Sequence, residues 1–284
     1  MSNKVIDALF STNAIRVAPE DTPFWYTSGT LGPFYINTHF LIKDEESAVK
    51  TLSVIENLIS EDKLTMPKKL LDYLLDYYNN SESFKMITDL LVEKLGEYEF
   101  DYISGGERRD FFFSILPAYF LKKPHLTIFK DMSSVYSTND FTNTVNFSEA
   151  QLNGLKAIHI ADLITEASSY VRAWIPAIRN LGSDISDTVA IIDRHQGGDK
   201  NLSELGVSMF TFAGIDKELF DSALASGTIN QAQFDLTMRF LESPKAYMAD
   251  FLEKHPTFIQ DQINLGGKAK ERALLAIEKG HAHA

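Results

Sequence analysis

The chain has 284 residues, 44% of them hydrophobic, enough for one large domain, or a domain with a subdomain, around a sizeable core. Its formal net charge of −12 disfavours nucleic acid and anionic membrane partners, whose binding needs clustered Lys and Arg. It contains no cysteine, which excludes thiolate zinc sites, disulfides and a cysteine nucleophile.

The opening stretch MSNKVIDALFSTNAIRV has no apolar run long enough for a signal peptide or a membrane span, so a cytoplasmic protein is expected. Residues 45–60, 68–78 and 83–95 carry apolar side chains at helical spacing, in the last case Phe84, Ile87, Leu90, Leu91 and Leu95, and predict three helices. Residues 103–123, ISGGERRDFFFSILPAYFLKK, read as a strand, a Gly-Gly turn and an aromatic-rich helix. Phe111, Phe112 and Phe113 are expected to pack into the core, and the Arg-Arg-Asp start fits a solvated helix end.

Residues 157–169, AIHIADLITEASS, carry the strongest functional pattern. Ala157, Ile158 and Ile160 predict a short buried strand with Asp162 at its carboxyl end, and Val171, Trp174, Ile175, Ile178 and Leu181 recur at helical spacing beyond it. A turn feeding a helix leaves backbone N–H groups unpaired, and the helix dipole behind them favours a phosphate. Thr165, Ser168 and Ser169 add hydroxyl donors, while Asp162 suits sugar hydroxyls because an ionised carboxylate is a pure acceptor. The same residues also fit a plainer arrangement, in which Ser168 or Ser169 caps the helix and Asp162 ends a strand.

Residues 188–198, TVAIIDRHQGG, form a second apolar strand ending in charged residues, with His195 a candidate for stacking or hydrogen bonding, while His159 reads as a core histidine. Helices are predicted over 216–225, 230–241, 243–254 and 268–279, the third opening with Pro244 in its first turn and stopping before Pro256. His281 and His283 alternate with alanine in a frayed terminus and are not expected to bind metal. No internal repeat or Pro/Gly/Ser-rich linker divides the chain.

Three segments, in order, resemble the type I phosphoribosyltransferases, and among them the orotate enzymes. AIHIADLITEASSYVRAWIPAIRNLG resembles the phosphoribosyl-diphosphate (PRPP) motif, in a degenerate form. TVAIIDRHQGG resembles the strand that ends in Asp-Arg-Gln and presents an arginine, here Arg194, to a pyrimidine carboxylate. TSGTLGPFYIN, residues 27–37, resembles the segment that lies against the flat base. The resemblance implies a mostly parallel α/β sheet flanked by helices over residues 1–214, with an added helical insert over 43–80 and a helical C-terminal extension over 215–284.

It also implies transfer of ribose 5-phosphate from PRPP, carried with Mg²⁺, to orotate or a similar pyrimidine, with release of pyrophosphate, in a homodimer. On the matching positions Asp162 and Lys130 are the candidate catalytic residues. Thr165, Glu166, Ala167, Ser168 and Ser169 would cradle the 5′-phosphate, and Arg109, standing where those enzymes have a lysine, would face the diphosphate. Tyr35, Ile36 and Arg194 would position the base, and residues 127–140 would hold a mobile catalytic loop. Ala161 stands in place of the first acid of the family's acidic pair, so Ala161→Asp is expected to raise activity. Ala167 replaces a loop glycine and Glu166 adds a negative charge, and these departures point to the alternative of a catalytically impaired, regulatory nucleotide- or ribose-phosphate-binding protein.

Overall fold

The computed structural model describes residues 2–146 and 151–282; His283 lies outside them. The chain forms two compact units, Met1–Ala14 with Thr38–Ile215 and Ile15–Asn37 with Asp216–Ala284.

The first unit is a seven-stranded sheet flanked by helices. In chain order its strands are β1 (Tyr102–Gly106), β2 (His125–Ile128), β3 (Ser134–Ser137), β4 (Thr144–Asn146), β5 (Lys156–Ile164), β6 (Asp184–Asp193) and β7 (Ser208–Gly214). They lie in the order β7-β6-β5-β1-β2-β3-β4. Pairing is parallel from β7 to β2 and antiparallel for β3 and β4. Every residue of β1 and β2 is buried, as central parallel strands covered on both faces require. The strand order reverses between β1 and β5, and in open α/β sheets ligands bind at the carboxyl ends of the strands flanking such a reversal.

Helices α1 (Ser2–Ser11), α2 (Glu45–Glu61), α3 (Met66–Asn80), α4 (Glu82–Leu95), α5 (Phe111–Phe120), α6 (Ile175–Asn180) and α7 (Gly198–Glu204) complete this unit. Helix α2 starts where Asp44 accepts the Ser47 N–H at 2.8 Å, and Ser81 caps α4 by accepting the Phe84 N–H at 3.3 Å. Residues 43–80 hold α2 and α3, whose Ile55, Leu70 and Leu74 are fully buried. Phe111, Phe112 and Phe113 are core residues, as their triplet in an apolar helix suggests.

The sequence places all of residues 1–214 in one unit, whereas residues 15–37 group with the C-terminal helices. The reason is aromatic packing. Phe34 lies with its ring centroid 5.2 Å from Phe220 and 5.3 Å from Phe240, and Trp25 stacks on Phe258 at 5.8 Å and donates to Gln262 at 3.0 Å. Two short antiparallel pairs, Ile15–Val17 with Phe34–Ile36 and Phe24–Trp25 with Leu31–Gly32, provide those rings. Helices α8 (Lys217–Ala225), α9 (Gln231–Glu242), α10 (Pro244–Lys254), α11 (Phe258–Leu265) and α12 (Gly267–Glu278) form the rest of this second unit. The sequence reading lacks α11, which occupies what it takes as a connection after Pro256.

Strand β5 runs on to Ile164 rather than ending before Asp162, because its pairing with β6 continues to Ile164 opposite Asp193. Residues 127–140 hold a hairpin instead of an open loop. β2 and β3 pair antiparallel around a tight turn in which the Phe129 N–H donates to the Ser133 carbonyl at 2.8 Å. No helix among the described residues is long and apolar enough to cross a membrane.

Candidate active site

At the reversal between β1 and β5 the first unit opens into a cleft of about 900 Å³. That is room for a phosphorylated sugar. Its walls come from the turn after β1, the turn after β5, the β2–β3 turn and one residue of α2.

The turn after β5 is the expected anion cradle. Thr165 to Ser169 all line the cleft, and the backbone enters a helical turn at Ser168 that passes through a π-helical segment, Tyr170–Trp174, into α6. Ala167 adopts the left-handed conformation, φ 55°, in which a glycine is at home. The alanine there is 5% exposed, with its methyl in the apolar cluster of Ile164, Tyr170 and Trp174. The left-handed strain of about 1–2 kcal/mol is set against methyl burial of about 0.8 kcal/mol and the greater chain entropy glycine loses on folding. These nearly cancel, so Ala167→Gly should change stability by less than about 1 kcal/mol in a denaturant titration, and a shift above 2 kcal/mol would contradict this balance.

Gly198 fixes the turn from behind. A Cβ on it would lie 2.4 Å from Ile164 Cγ2 and 2.8 Å from the Thr165 carbonyl oxygen, and Asn201 on the same helix donates to the Glu166 carbonyl at 2.9 Å. Gly106 does the same at the end of β1, where a Cβ would meet the Trp174 indole at 2.3 Å. Both glycines permit close approach of backbone to the cradle, a role visible only once the strands are paired.

The turn after β1, Glu107 to Asp110, brings charge to the same cleft, and its Glu107–Arg108 peptide is cis. Glu107 accepts the Lys130 backbone N–H at 2.8 Å, tying the β2–β3 turn to it, and Arg108 is paired with Glu56 of α2. Arg109 is exposed and lines the cleft, as does Lys130. Neighbouring Asp131 is engaged by Lys63 at 2.6 Å, which together with Ser133 holds its carboxyl down at about 2. The positive field of Arg109 and Arg108 adds to burial in holding His39 neutral, with its pKa lowered to about 3.

Beneath the cleft lies a buried polar network. Asp110, at the start of α5, accepts the Gly106 N–H at 3.2 Å, the Asp162 N–H at 3.0 Å and a contact from His159 Nε2 at 3.4 Å. The other His159 nitrogen meets Ser104 Oγ at 2.9 Å, and its ring stacks on Trp174. Thr188 donates to the His159 carbonyl at 2.8 Å, so the Tyr170 hydroxyl donates to Thr188 at 2.6 Å. Burial first, and then the Asp110 charge, pushes the Asp162 carboxyl up to about 7, against an opposing pull from Arg109.

Of the residues singled out in the sequence, Asp162, Lys130, Arg109 and Thr165 to Ser169 therefore share one cleft. His159 is the satisfied core histidine it was read to be. Arg194 is not among the cleft-lining residues. It follows β6, its backbone N–H donates to the Ile164 carbonyl at 2.9 Å, and its Nε is buried without a partner. His195 is engaged instead with Asp193, at 2.9 Å. Tyr35 and Ile36 belong to the second unit, on Phe34–Ile36, where Ile36 pairs with Ile15. Sequence reasoning missed Asp110, Glu107 and Glu56. An acid closing a Gly-Gly-x-x-x turn was a usable signal for the first, whereas Glu56 sits on a remote helix and had none.

No family model matches the chain. Among curated proteins, it is 29% identical over 144 residues to the adenine phosphoribosyltransferase of Paraburkholderia phytofirmans, spanning 48% of this chain and 76% of that protein. It is 26% identical over 184 residues to the orotate phosphoribosyltransferase of Sulfurisphaera tokodaii, spanning 63% of this chain and 89% of the relative. The chain is thus similar in sequence to adenine and orotate phosphoribosyltransferases. Solved structures share its fold. Leishmania donovani UMP synthase superposes with a TM-score of 0.58 at 17% identity, over 85% of this chain and 42% of that one. The orotate phosphoribosyltransferase of Francisella tularensis does so with 0.53 at 11% identity, over 84% and 96%.

Proposed function

We propose that the protein transfers a ribose 5-phosphate group from PRPP to a heteroaromatic base, orotate or a similar pyrimidine, releasing pyrophosphate. The bond from the ribose anomeric carbon to the diphosphate breaks, its electron pair leaves with pyrophosphate, and a bond to a ring nitrogen of the base forms as that nitrogen gives up its proton. The observation that carries this reading is that the 165–169 turn, Arg109 and Lys130 line one cleft, so hydroxyl and backbone donors share it with two cations. In this reading Ser168, Ser169 and Thr165 hold the 5′-phosphate, Glu166 and Ala167 shape the turn, Asp162 meets the ribose hydroxyls, and Arg109 and Lys130 face the diphosphate. Arg194, which follows β6 in the same unit, remains the residue proposed to read the base.

Among the described residues no cluster of three or more His, Asp or Glu forms a metal cage. A Mg²⁺ held by PRPP oxygens and water fits such a cleft, since this ion keeps several waters and commonly rides on substrate phosphates. Bound in that way it neutralises charge on the leaving diphosphate. The protein is further proposed to act as a homodimer, the commonest closed assembly.

The test is pyrophosphate release from PRPP with orotate and, because the relatives include adenine enzymes, with adenine. Release with orotate is expected, and Ser168→Glu should weaken ribose 5-phosphate binding at least tenfold in calorimetry by setting a carboxylate against the phosphate. Release with adenine alone would overturn the pyrimidine reading. Binding of ribose 5-phosphate without release with either base would make the protein a binding module, a reading favoured by the single lysine, Lys130, in the segment 127–140.

A further inference from the structure

Helix α2 brings to the cleft a carboxylate that the turns at the strand ends do not supply. Ala48, Thr51 and Ile55, buried at helical spacing, seat this helix and fix its course. Glu56, the next residue along, is exposed, lines the cleft and is paired with Arg108 of the turn after β1. Just past the end of α2, Lys63 reaches the β2–β3 turn. Its Nζ donates to Asp131 at 2.6 Å and to Ser133 at 2.8 Å, and lies 4.7 Å from the centre of the Phe129 ring. The helix is therefore tied to two turns that carry cleft cations, and a change of partner at Arg108 needs only rotation of side chains.

The pairing takes a cation away from the cleft. Four line it, Arg108, Arg109, Lys130 and Arg172, and Arg172 is turned to the Ser168 carbonyl at 3.2 Å. With Arg108 held by Glu56, an incoming anion meets chiefly Arg109 and Lys130. A guanidinium offers carboxylate and phosphate oxygens the same fork of donors, so Glu56 occupies at Arg108 the place a phosphate oxygen could take. The two side chains are 36% and 58% exposed, and ion pairs this open to water are weak. Tethering compensates, because the helix keeps the carboxylate at high effective concentration beside its partner.

We infer that Glu56 is an internal anion that withholds Arg108 from the ligand, so that α2 sets how tightly the cleft holds a diphosphate. The inference rests on the diphosphate reading of the cleft. It gives a role to a residue from outside the strand-end turns, and one that opposes binding. Affinity differences of this kind lie mostly in the rate of dissociation, so the same pairing shortens the stay of pyrophosphate after transfer.

The experiment is calorimetric titration of the full chain with sodium pyrophosphate, without added metal and at low ionic strength. Glu56→Gln should bind pyrophosphate about three- to tenfold more tightly than wild type, because the charge that holds Arg108 and repels the ligand is gone. Adding Arg108→Ala to that variant restores the net charge of wild type and should return the affinity to within about twofold of it. Glu93→Gln removes the same charge from an exposed position on α4 that does not line the cleft, and should change affinity by less than about twofold. Equal affinity in wild type and Glu56→Gln overturns the inference and leaves the cleft reading standing. So does a gain that survives Arg108→Ala or that Glu93→Gln reproduces. Absence of pyrophosphate binding in wild type and Glu56→Gln alike overturns both.

Discussion

Replacing Arg109 by alanine is expected to lower pyrophosphate release from PRPP about 100- to 1,000-fold while leaving thermal stability almost unchanged. The charge that grows in the proposed reaction is on the departing diphosphate, and removing one donor aimed at developing charge in a preorganised site costs about 2.7–4 kcal/mol. Three other cations line the cleft, but two are committed. Arg108 is paired with Glu56, and Arg172 donates to the Ser168 carbonyl at 3.2 Å. Lys130 is carried on a turn whose backbone Glu107 holds. No hydrogen bond or ion pair among the described residues engages the Arg109 side chain, which is exposed, so its loss removes little from the fold. Arg109→Lys should recover part of the rate, because a point charge replaces a bidentate fork. A rate within tenfold of wild type for Arg109→Ala, at full ribose 5-phosphate affinity, would remove Arg109 from the diphosphate subsite.

Local pattern was enough to read the β5 strand and its turn because those features are contiguous, whereas Arg109 and Lys130 came from the family resemblance. Strand, donor turn and helix lie within residues 156–180, and the alternation of apolar residues there is set by the chain itself. The grouping of residues 15–37 with the C-terminal helices was not legible, since it depends on which ring Phe34 and Trp25 find after folding. The same holds for Glu56 beside Arg108, joined across 52 residues of sequence. The hairpin at 127–140 was hidden by polar residues that also suit an open loop; its pairing is fixed by β2, a wholly buried strand that needs a partner on that side. Ala167 shows the converse. The sequence makes an alanine at a glycine-like position an obstacle to the turn, yet the turn forms with φ 55°, because its methyl is buried among apolar neighbours.

Ala161→Asp is expected to destabilise the protein by about 3 kcal/mol and to lower, not raise, any transferase rate, in contrast to what the missing acid suggests on the sequence alone. Side chains alternate along a strand, so Ala161 faces with His159 and away from Asp162. Although Ala161 borders the cleft, its side chain is 2% exposed and belongs to the apolar cluster of Ile164, Tyr170 and Trp174, the residues that support the 165–169 turn. A carboxyl there has no cation within the cluster. An uncompensated buried charge costs roughly 3–5 kcal/mol, less where the group takes up a proton, and the added atoms bring a packing cost of about 1–3 kcal/mol. For a chain of this length about 3 kcal/mol corresponds to a fall in Tm of roughly 6–12 °C. The comparison that decides is a thermal melt and a PRPP turnover assay on the same preparation. Undiminished Tm together with faster pyrophosphate release would mean that residue 161 reaches the ribose after all.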